Sequence, residues 1–166
     1  MTSLLSRLAV GGALVAALGT AIAPIAVAKT APAAVNCADG NSMKNVLVSA
    51  DSAKVGVVFN FNCSLVGKVR SVGYLPRGEK PTPNVGEGTV AVKGKAFIKV
   101  VTEGNDVDSY DRFLKKPIAG EGAVEQVVYA GGHAGQTTWY IGVTDRHKFT
   151  WKATGKTLNV DVTPGK

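Results

Sequence analysis

The sequence predicts an all-β fold, an antiparallel β-sandwich, with a small closed β-barrel as the alternative. Apolar residues alternate with polar ones over short runs, turn signals recur every eight to twelve residues, and helical periodicity is weak after residue 28. A sandwich hides one face of each sheet, so a half-buried strand carries apolar side chains at every second position.

The first 28 residues stand apart from that pattern. Arg7 follows a short start, an apolar run extends from Leu8 to Ala28, and Ala26-Val27-Ala28 offers the small residues a signal peptidase requires. Residues 1–28 therefore read as a cleaved secretory signal. The apolar run, at 21 residues, is long enough for an uncleaved membrane anchor. Gly11, Gly12, Gly19, Thr20 and Pro24 dilute its hydrophobicity, however, and it lacks the aromatic flanks of a permanent anchor.

Cleavage leaves residues 29–166, the common size of one domain, without a transmembrane segment. Residues 29–36 are mainly Ala, Pro and Thr and form a flexible lead-in, so the expected domain spans 37–166. The formal charge is +7; without Arg7 it is +6, from 18 basic and 12 acidic residues.

In chain order, strands are expected at residues 45–49, 54–63, 68–74, 89–92, 95–102 and 123–129, followed by three more between 137 and 162. The second is the clearest. Val55, Val57, Phe59, Phe61 and Cys63 share one parity, while Lys54, Gly56, Asn60 and Asn62 take the other, with Val58 the apolar exception. Lys93-Gly94 marks a turn between two strands or a bulge within one, and residues 111–116 suit a short helical turn.

The last third repeats the alternation as Trp139, Ile141, Val143, then Phe149, Trp151, Ala153, then Leu158, Val160, Val162. Asp145-Arg146 and Thr154-Gly155-Lys156 supply tight connections, which predicts a three-strand meander with both tryptophans in the core.

Cys37 and Cys63 are the only cysteines, and in an exported chain an even pair favours a disulfide over a metal or redox site. If Phe61 faces inward, so does Cys63, and the bridge pins the N-terminal segment to the core. The plan is immunoglobulin-like in general architecture only: both cysteines precede Trp139, whereas in antibody-type domains the pair flanks the tryptophan.

The candidate chemistry is sparse. His133, within Gly131-Gly132-His133-Ala134-Gly135, and His147 stand in turn-like surroundings, without zinc-ligand spacing or a nucleophile elbow nearby. Glu103, Asp106, Asp108 and Asp111 form an acidic cluster whose last three residues are a weak calcium candidate. The EF-hand register is absent, so a solvated loop is the plainer reading.

Lys68, Arg70, Arg77, Lys80, Lys93, Lys95 and Lys99 face only Glu79 and Glu87 over the same stretch, which marks this surface for an anionic partner. Lysines on strands also serve simply to keep sheet edges apart. The glycine- and proline-rich loop 77–88 is the most conspicuous recognition loop and would present Arg77 or Lys80 to a trypsin-like protease. Tyr74, Tyr110, Tyr129 and Tyr140 would make a sugar-stacking platform if several reached one face.

These features lean against an enzyme and require no cofactor. They predict a secreted binding domain acting at the cell envelope or in the medium. Its partner would be an envelope polymer, an acidic surface or an extracellular protein; nucleic acid is the least supported, since the basic run lacks interleaved aromatics. The alternatives are an extracellular hydrolase using His133, His147, Asp108 and Asp111, and an exported protease inhibitor or toxin.

Overall fold

Alternation of side chains decides where the sheets meet. In the computed structural model, which describes residues 36–65 and 67–165, every second residue of the clearest strand is sealed: Val55, Val57, Phe59 and Phe61 are all buried. The expected signal segment, and the lead-in apart from residue 36, lie outside the described residues.

Nine strands follow in chain order among the described residues. They are β1 (Met43–Ala50), β2 (Val55–Phe61), β3 (Val69–Tyr74), β4 (Ala96–Thr102), β5 (Ile118–Ala119), β6 (Val124–His133), β7 (Gln136–Val143), β8 (Lys148–Thr154) and β9 (Thr157–Thr163). A 3-10 helix, Val107–Phe113, lies between β4 and β5. One sheet has the order β1-β2-β9-β8 and the other β3-β4-β7-β6-β5, with every named pairing antiparallel. The fold is thus the sandwich, and the closed barrel is set aside.

The two inner faces meet around Trp139. Its ring lies 5.6 Å from Phe59 and 5.3 Å from Phe113 in edge-on contacts, and 4.9 Å from Tyr129 in a tilted one. Val57 and Val160 from one sheet, and Ile98, Val100 and Ile141 from the other, complete a core with no exposure to solvent. Apolar surface removed from water in this way is the main favourable term in folding.

The structure corrects four expectations. The last three strands are not one meander: β7 pairs with β4 and β6, whereas β8 and β9 belong to the other sheet, so Thr144–His147 is a crossing between layers. Trp151 has the inward parity but is 45% exposed, because β8 is an edge strand with a neighbour on one side only. Residues 89–92 form no strand. The helical turn comes earlier than residues 111–116, where Asp106 enters it in extended conformation and Tyr110 is buried beneath it.

A disulfide joins Cys37 to Cys63, with Cα atoms 5.8 Å apart, and Cys63 is buried. Beside it the Asn41 amide works like a missing strand residue: its Oδ1 accepts from the Cys63 N–H at 2.8 Å and its Nδ2 donates to the Cys63 carbonyl at 3.2 Å. Asn41 also bridges to Asn105. The Asn105 side chain donates to the hydroxyls of Thr102 and Thr137 and accepts from Tyr110. These buried polar groups satisfy one another, as a water-excluded end of the sandwich requires.

Candidate functional site

The long connection between β3 and β4 does not stand free as a recognition loop. Residues 75–95 fold back over the outer face of the five-stranded sheet as a strap. The Thr82 N–H donates to the Tyr140 hydroxyl, the Asn84 N–H to the Ala130 carbonyl, the Thr138 hydroxyl to Asn84 Oδ1 and the Lys93 N–H to Gln126 Oε1. The register explains the need for a cover. Thr138, Tyr140 and Val128 point away from the core, yet all are buried. Central β7 carries Gly142 where the strap comes closest, because a Cβ there would sit 1.8 Å from the Lys93 carbonyl oxygen.

Where the strap leaves β3 and rejoins β4, it frames a groove at one end of the sandwich. A cavity of about 250 Å³ is lined by Arg77, Glu79, Lys95, Phe97, Asp145 and Arg146, among others. A second, of about 450 Å³, continues past Lys80 on the same Phe97 floor. A third shares Arg77 and Arg146 and runs on to His147 and Lys148. Three of the seven expected basic residues, Arg77, Lys80 and Lys95, are thereby gathered, together with Arg146, which the sequence reading placed only in a turn.

Among the described residues the ion pairs are Lys54–Asp161 at 2.8 Å and Arg70–Glu103 at 2.7 Å, neither of which lies in the groove. Asp145 instead accepts from the Arg146 backbone N–H at 2.6 Å, and its own carbonyl accepts from the His147 N–H. The Arg146 guanidinium lies 4.6 Å above the Tyr74 ring, and the Tyr74 hydroxyl donates to the His147 carbonyl at 2.9 Å. Stacking on an aromatic face orients a guanidinium without consuming its charge.

The other expected site residues are dispersed. Lys68 lies beside the disulfide, and Arg70, already paired with Glu103, lines a different cavity with His133. Lys93 belongs to the strap, and Lys99 faces outward on β4 opposite Gly73 and Tyr140. Lys93 and Lys95 precede β4 and share no strand with Lys99.

His147 is engaged at both ring nitrogens. Its Nδ1 accepts from the Gly165 N–H at 3.2 Å, which leaves Nε2 as the donor to the Thr144 hydroxyl at 2.8 Å. His133 sits at the end of β6, in a different cavity from His147, while Asp108 and Asp111 belong to the 3-10 helix. No two of these four residues line the same one of the five cavities found among the described residues. Among the described residues no three His, Cys, Asp or Glu side chains come together as a metal site, so Asp106, Asp108 and Asp111 are not assembled around a cation.

The tyrosine platform is also corrected. Tyr110, Tyr129 and Tyr140 are buried and only Tyr74 is partly exposed. Burial pushes the Tyr129 hydroxyl up to about 12, with the Asp111 and Asp108 carboxylates adding to the rise. Tyr110, 5.8 Å away, is raised by burial and by Tyr129. An unfolded chain loses these phenolic protons near pH 10 while the native state retains them. The stability they contribute is complete below about pH 10 and falls as pH rises through about 12. An alkaline titration is expected to show tyrosinate absorbance from these two residues appearing together with the loss of tertiary circular dichroism; ionisation well before unfolding would contradict it.

The AMIN-like domain family matches residues 56–163, from β2 to the end of β9, and the chain belongs to that family. No curated protein and no solved structure matches it. Family membership supports an envelope-associated binding domain outside the cytoplasm. No helix among the described residues is long and apolar enough to cross a membrane.

Proposed function

We propose, from membership of the AMIN-like family and from the groove beneath the strap, that this protein is an exported, non-enzymatic domain that holds an anionic polymer of the cell envelope. The observation that carries this reading is the convergence of Arg77, Lys95 and Arg146 on one cavity without an ion-pair partner among the described residues. Cations left unpaired in a concave site meet an incoming carboxylate or phosphate without first breaking an internal bond. A concave wall also focuses their field.

The shape supports a chain-like ligand over a compact one. The groove runs through three adjoining cavities, with Lys80 towards one end and Lys148 towards the other. Residues on the edges of strands and on a strap bonded to the sheet give it a rigid frame, which limits the entropy lost on binding. Glu79 and Asp145, which line the same cavity, set the spacing at which negative groups are tolerated.

Binding of the secreted domain to polygalacturonate, a carboxylated polysaccharide, measured by calorimetry against neutral dextran, tests the reading. Arg77→Ala with Arg146→Ala is expected to weaken binding at least about tenfold, in keeping with roughly 1.5–3 kcal/mol for a hydrogen bond to a charged group. Arg70→Ala leaves it unchanged. High salt weakens the wild type strongly, because screening at about 1 M shortens the reach of charge to roughly 3 Å. Equal binding by the double variant and the wild type would refute an anion-holding groove.

A further inference from the structure

We infer that the outer edge of β8 docks an extended polypeptide segment in which acidic residues alternate with apolar ones, a partner separate from the polymer of the groove. A strand edge carries unpaired N–H and C=O groups and joins another strand unless something blocks it. Of the four sheet edges among the described residues, three are blocked. β1 has a register shift between Met43 and Asn45 and is occupied at both ends: Arg112 donates to the Met43 and Lys44 carbonyls, and Glu121 Oε2 accepts from the Ala50 N–H at 3.0 Å. β3 has a register shift between Val69 and Ser71, and β5 is two residues long.

β8 has none of these devices. Its seven residues pair with β9 without a break, from Lys148 opposite Thr163 to Thr154 opposite Thr157, and contain no proline. The Tyr74 hydroxyl donates to the His147 carbonyl, one residue before the strand begins. Among the described residues no hydrogen bond besides the β9 pairing reaches the backbone from Lys148 to Thr154. Every second residue of such an edge turns both backbone groups outward, here along roughly 23 Å of strand. Another extended backbone matches that spacing.

The two faces of the edge select the sequence that pairs with it. Phe149, Trp151 and Ala153 stand opposite the buried Val162, Val160 and Leu158, so they take the inward face. Trp151 is 45% exposed there because nothing flanks β8 on its far side. A strand added about 4.8 Å away would cover the indole with its own inward apolar side chains. Lys148, Thr150 and Lys152 take the opposite face. Neither lysine is ion-paired among the described residues, and Asp161, opposite Thr150 on β9, is taken by Lys54 at 2.8 Å. Opposite charges across a strand pair stabilise it and like charges do the reverse, which places acidic residues at the partner's outward positions. A second copy of β8 fits worse, since it brings two more lysines to the same face, between chains of formal charge +7.

The probe is an eight-residue peptide alternating Val and Glu. It is compared with a Val–Lys peptide and with a Val–Glu peptide methylated at every backbone nitrogen, which keeps the charge and loses the donors. The wild type is expected to bind the Val–Glu peptide, with slowed amide hydrogen exchange in β8 and a blue shift in the emission of Trp151; the sealed Trp139 should not respond. Both comparison peptides should bind at least about tenfold more weakly. Trp151→Ala should weaken the Val–Glu peptide about threefold. Thr150→Glu/Lys152→Glu should reverse the preference between Val–Glu and Val–Lys, a gain that a misfolded variant would not show. Arg77→Ala/Arg146→Ala should bind the Val–Glu peptide as the wild type does, so the edge is tested apart from the groove.

Equal binding of the methylated peptide would reduce the contact to charge attraction and overturn strand addition. Loss of the peptide in the arginine variant would place it in the groove, and exchange protection in another strand would place it there; either result removes the β8 edge as the site. A dimer of the free protein held through β8 would assign the edge to a second copy and overturn the acidic partner.

Discussion

Replacing both Cys37 and Cys63 by serine is expected to lower the melting temperature by roughly 10 °C, the shift that a loss of about 3–4 kcal/mol produces in a domain of this size. The bridge spans 26 residues of sequence and ties the segment before β1 to the end of β2. In the native state that segment is held a second time, by the paired hydrogen bonds between Asn41 and Cys63 and by the Asn41–Asn105 bridge. Loss of the sulfur link therefore leaves the folded contacts largely intact and acts by freeing the unfolded chain, where loop closure is lost. Thermal melts of the variant, and of the wild type under reductant, should shift together. A variant that melts with the oxidised wild type would show that the Asn41 contacts alone define this end of the sandwich.

The disulfide and the core strands were legible for one reason: each rests on a local rule. Parity alone identifies the sealed residues of β2 and β9, because neighbours on both sides bury every inward position. The same rule fails at Trp151, where the inward position lies at a sheet edge and strand order, not periodicity, decides exposure. It fails again at the β7–β8 connection. Asp145-Arg146 does interrupt the chain between two strands, but an interruption does not state whether the next strand stays in the sheet.

The groove was half legible for a related reason. Arg77, Lys80 and Lys95 stand out by charge, but their company is set by the strap, whose course depends on bonds from Thr82, Asn84 and Lys93 to side chains and backbone some 33–58 residues away. Arg146 is brought in from the other side by the crossing between sheets. The tyrosines show the converse. Tyr110, Tyr129 and Tyr140 are typical surface-capable residues by type, yet each hydroxyl or ring has a buried role that only the tertiary arrangement creates.

Gly142→Ala should release the strap. A Cβ at this position would sit 1.8 Å from the Lys93 carbonyl oxygen and 2.9 Å from Val92 Cγ1, on the outer face of a central strand that has no room to retreat. The strap must move instead. Overpacking of this kind costs about 1–3 kcal/mol, and here the movement also strains the bond from Lys93 to Gln126 that holds the C-terminal arm of the strap. Thr138, Tyr140 and Val128, sealed in the native protein, then gain access to water. Trypsin is expected to cut Gly142→Ala at Arg77 or Lys93 under conditions that spare the wild type, and affinity for an anionic polymer should fall because Lys95 and Phe97 lose their opposing wall. Gly73→Ala is the matched control: its Cβ meets nothing within 4 Å, so its strap should resist protease as the wild type does. Equal cleavage of Gly142→Ala and Gly73→Ala would mean that close approach at Gly142 does not hold the strap down, and the groove would owe its shape to the Asn84 and Tyr140 contacts alone.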